Sequence, residues 1–171
     1  MTGLGREAVR RNRRRRERDE QVRERPQDQR PLQVEFRGEP MITLRDARRI
    51  IAAAEEKARE IGQPMNIAVV DAGGNLVSHA RMDGASVGCI DLSINKAARS
   101  FDIPTAELAE SSQPGQPFFG IHGSSNGRAM IFAGGLPLRR SGSVIGAIGV
   151  SGGSGSQDAA VAAAGAAALG N

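Results

Sequence analysis

Asn66-Ile67-Ala68-Val69-Val70-Asp71-Ala72-Gly73-Gly74-Asn75-Leu76-Val77-Ser78-His79-Ala80-Arg81-Met82 reads as two strands joined by a turn. Ile67, Val69 and Val70 give a β-branched run, Asp71 to Asn75 carry turn chemistry, and a second run follows from Leu76 to Met82. A turn this short joins antiparallel neighbours. Side chains alternate along a strand, so Leu76, Ser78, Ala80 and Met82 are expected on one face and Val77, His79 and Arg81 on the other. His79 and Arg81 then point the same way.

Toward the N-terminus, Leu44, Ala47, Ile51, Ala54, Ala58 and Ile61 step by three and four, the stripe of an amphipathic helix. Thr43 is placed to cap it, with Asp46 three residues on, and Gly62 before Pro64 ends it. Toward the C-terminus, Val87, Ile90, Ile94, Ala97 and Phe101 predict a second helix ending near Asp102, and Pro104-Thr105 opens a short one through Glu110. Residues 111–127 have no period and read as a long loop, a length that tends to carry function. Arg128 to Ala133 is read as a strand, Gly134 to Pro137 as a turn entering an edge strand, Ser143 to Ser151 as a strand, and residues 156–169 as an Ala-rich helix. The hairpins make the sheet mostly antiparallel with segregated helices, an α+β domain.

The 171 residues fit one domain with an appendage. Residues 1–40 hold twelve Arg against eight acidic residues, whereas residues 41–171 balance eleven against eleven. The first segment lacks apolar periodicity and is expected to be a disordered Arg-rich tail before a domain at 41–171. It reads as a solvated tail or an upstream addition before a start at Met41, with weak nucleic-acid contact as the functional alternative. Five Phe and no Trp or Tyr leave little material for a base-stacking platform. Cys89 is the single cysteine, which excludes an intramolecular disulfide framework and a cysteine-only zinc site. No apolar run is long enough to span a bilayer, and a cytoplasmic protein is expected.

Several groups could carry chemistry. Gly149-Val150-Ser151-Gly152-Gly153 matches the G-x-S-x-G nucleophile elbow, but no His follows Ser151, so a glycine turn between strand and helix is the better reading. The same turn could hold a carboxylate on backbone N–H groups. His122, in the loop beside Phe118 and Phe119, suits a flat apolar ligand bearing an iron that needs an imidazole. His79 is a structural His or a ligand, and Lys96 and Arg99 are either a solvated helix face or a carboxylate clamp. Glu55, Glu56 and Glu60 alternate with Lys57 and Arg59, as on an ordinary solvated helix.

The run Ile67 to Leu76, then Arg81-Met82-Asp83-Gly84-Ala85, Lys96-Ala97, Pro104-Thr105, Gly134-Gly135-Leu136-Pro137-Leu138 and Ile145 to Gly153 resembles the GlcG/HbpS-like haem-binding (haem-degrading) family. It is also similar to the C-terminal domain of some corrinoid adenosyltransferases. The resemblance covers Met41 to about Leu169. It implies a profilin-like sandwich with a five-stranded antiparallel sheet, a homo-oligomer, and binding of haem or a related tetrapyrrole for sensing, storage or breakdown. His or Thr ligates the iron in different members, which leaves Thr105, His122 and His79 here, since the first helix holds no His. An alternative is an enzyme acting on a small carboxylate or unsaturated acid, with Arg81 and Lys96 holding the anion and Asp71, Asp83 or Cys89 reactive. Gly146 and Gly149 in the last strand are expected to permit close approach of another subunit, and a domain of this size gains stability from burial between subunits.

Overall fold

The structure, a computed structural model, describes residues 41–98 and 103–170. The Arg-rich segment 1–40, Arg99 and Phe101 lie outside the described residues. Helix α1 spans Leu44–Glu60, strand β1 Asn66–Asp71, β2 Leu76–Arg81, helix α2 Cys89–Ala98 and α3 Thr105–Ser111. Two single 3₁₀ turns follow at Ile121–Gly123 and Ser125–Gly127, then β3 Gly135–Arg140, β4 Ser143–Ser151 and α4 Gly155–Ala167.

The four strands form one antiparallel sheet in the order β2-β1-β4-β3. This corrects the expected fifth strand. Arg128 to Ala133 does bury Ala129 and Met130, but its backbone joins no ladder. The place beside β4 is taken by Gly135–Arg140, and an apolar run signals burial rather than pairing. Pro137, which lacks an N–H, is tolerated in β3 because that strand is an edge.

Helices cover both faces of the sheet. Ala47, Ile50, Ile51, Ala54 and Ala58 of α1 and Val161 and Ala162 of α4 pack on Ile67, Val69, Ile148 and Val150. On the other face Ile94 and Ala97 of α2 pack on Ala68, Val70 and Ala147. Coverage on both sides explains why Ile67 to Val70 is continuously apolar instead of alternating. The helices are therefore not segregated to one face. In the α1 stripe Leu44 lies exposed at the first turn, and Ile50, outside the expected set, is fully buried.

Local chemistry fixes the boundaries. The Thr43 hydroxyl accepts from Asp46 N–H, and the Asp46 carboxylate accepts from Thr43 N–H, a reciprocal cap on α1. Asp46 also meets Arg49 at 3.1 Å and Arg140 at 3.5 Å, so the start of α1 is tied to the end of β3. Burial pushes the Asp46 carboxyl upward, but the bonds from Thr43 and the Arg140 charge outweigh it and hold the group below its ordinary value. The β1–β2 turn closes on Asp71, whose Oδ1 accepts from the N–H groups of Gly73 and Asn75, both at 2.9 Å. Ser141 and Gly142, both at positive φ, make the β3–β4 turn.

The glycines of β4 do not serve a neighbouring subunit, because β4 is an inner strand. A Cβ on Gly146 would strike the Val70 carbonyl, and one on Gly149 would strike the Ser93 carbonyl of α2. They allow close packing within the chain.

Candidate functional site

A buried polar cluster joins α2, β4 and α4. Lys96 is 2% exposed, and its Nζ donates to the Val150 carbonyl at 2.9 Å and to Asp158 Oδ2 at 2.7 Å. Asp158 Oδ1 accepts from Gly153 N–H at 2.9 Å. The centre of the Phe132 ring lies 5.5 Å from Nζ, a cation–π contact. Lys96 is thus neither a solvated helix residue nor a free clamp, and its charge is matched inside the fold. Asp158 is a residue the sequence reading missed. Its signal was available, since it is the only charged residue after Ser151.

Thr105 sits one layer further along. It is fully buried, and its Oγ1 accepts from Gly135 N–H at 2.9 Å. A Cβ on Gly135 would come within 2.5 Å of Thr105 Cγ2 and of the Lys96 carbonyl, while Gly134 adopts φ +115. The Gly-Gly pair is required by that close approach. The Pro-Thr and Gly-Gly motifs, thirty residues apart, are one seam.

Three N–H groups of the glycine turn before α4 are taken within the chain. Gly153 N–H is taken by Asp158, Ser154 N–H by Gln157 Oε1, and Gln157 N–H by the Ser154 hydroxyl. Ser151 ends β4 with 4% exposure, and neither His is hydrogen-bonded to it.

His79 lies on β2, opposite Ala68, with Nε2 3.3 Å from Ser93 Oγ. Ser93 spends its single proton on the Ile90 carbonyl at 2.7 Å, so the Nε2 position carries the proton and donates. Burial lowers the His79 pKa by penalising the imidazolium. Arg81 ends β2 and donates from Nη1 to the Ala85 carbonyl at 3.2 Å. Both side chains reach the segment that leads into α2 or α2 itself, as expected from their shared face.

His122 stands apart from these groups in sequence and surroundings. It is exposed in the 3₁₀ turn Ile121–Gly123, which is entered when Ile121 N–H bonds the Phe118 carbonyl at 3.0 Å. Phe118 and Phe119 are 47% and 63% exposed. In a chain of five Phe without Trp or Tyr, two exposed Phe adjacent in sequence, with an exposed His three residues on, are an unusual combination. Arg128 is the only charged side chain from Ser111 to that point and was not singled out from the sequence.

The remaining groups are occupied or isolated. Glu55 and Glu56 pair with Arg59 at 3.0 and 2.9 Å, and Glu60 with Lys57 at 2.8 Å. Asp71 holds its turn, Asp83 is exposed, and Cys89 is a half-buried free thiol at the start of α2. Among the described residues no group of three or more His, Cys, Asp or Glu is arranged to hold a metal ion. A cavity of about 210 Å³ lined by Pro137, Leu138, Ala166 and Leu169 is smaller than pockets that enclose cofactors, roughly 300 Å³ and above. Among the described residues no helix is long and apolar enough to cross a membrane.

A family model described as haem degrading protein HbpS-like matches residues 42–167. An uncharacterised 15.0 kDa protein from the dhaT-dhaS intergenic region of Citrobacter freundii is 44% identical over 119 residues, 68% of this chain and 84% of that protein. The corrinoid adenosyltransferase PduO of Salmonella typhimurium is 33% identical over 123 residues, 71% of this chain and 37% of that enzyme. The chain therefore spans little more than a third of that relative. The crystal structure of a PduOC:heme complex superposes with a TM-score of 0.73 at 32% identity, covering 75% of this chain and 95% of that one.

Proposed function

This chain belongs to the haem-degrading HbpS-like family, and from that premise we propose that it binds haem, with His122 as the iron ligand. Haem asks a protein surface for apolar faces against the porphyrin, a donor for the iron and cations for the propionates. The segment from Ser111 to Arg128 carries all three, and the observation that supports the reading is the exposed Phe118-Phe119 pair three residues before the exposed His122 in the same loop. Arg128 is the cation assigned to a propionate. Thr105 is the second donor candidate. Its burial and the Gly135 N–H on its oxygen favour a role in holding the seam over one at the iron. Bound haem supplies a redox-active iron and an intense visible absorption. The chain's own residues bind and orient it.

The protein binds haem without turning it over, for sensing or storage, in the cytoplasm. Titration with hemin tests the binding, and following the loaded protein with ascorbate separates the roles. A Soret band that persists supports binding alone, and one that bleaches with release of iron marks breakdown.

Assembly into a homo-oligomer belongs to the same reading. Haem on an exposed loop gains burial when a second copy covers it, and β2 and β3 are both sheet edges. A monomeric mass by light scattering, with or without haem, would remove this part. Weak nucleic-acid contact by the Arg-rich segment 1–40 is the remaining partner proposal, tested by DNA retention at low salt against a variant starting at Met41.

A further inference from the structure

The first turns of α1 carry their charges against the helix dipole. Arg45, Arg48 and Arg49 follow closely on the cap, at the end where acidic side chains are the stabilising ones, and Asp46 alone answers them within α1. The second half of the helix is different, since Glu55 and Glu56 pair with Arg59 and Glu60 with Lys57. Helix stability therefore does not account for three arginines at this end, and local rules are broken where function requires it.

The tertiary structure adds to the excess. Arg140, at the end of β3, lies 3.5 Å from Asp46 Oδ2, and Arg49 lies 3.1 Å from Oδ1 of the same carboxylate. Arg49 also donates to the Leu169 carbonyl just beyond α4. Arg45 and Arg48 are exposed and have no hydrogen-bond or ion-pair partner among the described residues. Four guanidinium groups are thus gathered about one carboxylate.

The same end exposes apolar side chains. Leu44 is 46% exposed and Met41 44%. Residues three and four apart share a helix surface, which sets Leu44 beside Arg48, and Arg45 beside Arg48 and Arg49. Ala47, Ile50, Ile51 and Ala54 hold the other side of α1 against the core, so the arginine side is the solvent side.

We propose that this face docks on an anionic lipid surface. The arginines meet headgroup phosphates, while Leu44 and Met41 enter the boundary between headgroups and acyl chains, the combination of charge and apolar area by which interfacial helices bind. A nucleic-acid backbone would satisfy the arginines through charge but gives the two apolar side chains no comparable place. None of these residues is assigned to haem, so the face stands or falls separately from that reading.

Cosedimentation of the full-length protein with vesicles of phosphatidylglycerol and phosphatidylcholine tests it, beside vesicles of phosphatidylcholine alone. Binding is expected to the anionic vesicles only, and is expected to weaken as salt is raised. The double variant Arg45→Gln with Arg48→Gln should lower the affinity about fivefold per arginine. Leu44→Gln should lower it by about fivefold through lost apolar area, while leaving retention on DNA at the parent's level. Both changes fall on exposed positions, and unchanged far-UV spectra check that the variants fold. Absence of binding to anionic vesicles, or equal binding to neutral ones, would overturn the proposal. Parent-like vesicle binding by either variant would overturn it too, and if the double variant then lost DNA retention the face would belong to nucleic acid.

Discussion

The Lys96 ammonium meets the Asp158 carboxylate at 2.7 Å with both side chains at most 4% exposed, joining helices 62 residues apart in sequence. Two charges removed from water are tolerated because each has further partners: Val150 carbonyl and the Phe132 ring for Lys96, and Gly153 N–H for Asp158.

Removing either charge leaves the other buried and unpaired. Lys96→Ala and Asp158→Ala should each cost about 3–5 kcal/mol in urea unfolding. Replacing both, as Lys96→Met with Asp158→Leu, should recover most of the loss. Single variants as stable as the parent would show that the pair does not pin α2 to α4.

The seam between Thr105 and Gly135 predicts a second pair of effects. Thr105→Val leaves Gly135 N–H without an acceptor, at about 1–3 kcal/mol. Gly135→Ala forces a methyl against the Lys96 carbonyl and Thr105 Cγ2, at about 1–3 kcal/mol of overpacking. Denaturant midpoints check both, and their sum should exceed the double variant because both act on one contact.

His79 makes stability depend on mild acid. Its folded pKa lies below the ordinary value of 6.5, so between the two values the unfolded chain binds more protons than the folded one. The contribution of His79 is therefore complete above about pH 6.5 and is lost as pH falls through the lower folded value. Thermal melts of His79→Gln against the parent should show a flatter pH dependence in that window, and parallel curves would dispose of the effect.

At the start of α1, Thr43→Ala removes the acceptor for Asp46 N–H and should cost about 1 kcal/mol. Part of that cost should vanish in strong acid. Asp46 titrates below its ordinary value in the fold, and its contribution is lost as pH falls through that lowered value.

These effects divide along what a sequence can carry. The hairpin, α1 and its cap, and the Ala-rich helix were legible because periodicity and turn residues are local signals. The fifth strand failed because Ala129 and Met130 give the same apolar signal whether or not a ladder position is open beside β4. Lys96 was misread because helical spacing places it beside Ala97 without showing that Asp158, from α4, would meet it there. His122 and its neighbouring Phe pair were legible as a surface, since nothing nearby in sequence offered to bury them.

Hemin titration followed at the Soret band, on the full-length parent beside His122→Ala and Thr105→Val, bears most directly on haem binding through His122. A saturable shift is expected for the parent, an altered or abolished one for His122→Ala, and a parent-like spectrum for folded Thr105→Val. A parent that gives no saturable shift, or a His122→Ala spectrum identical to the parent's, would contradict it.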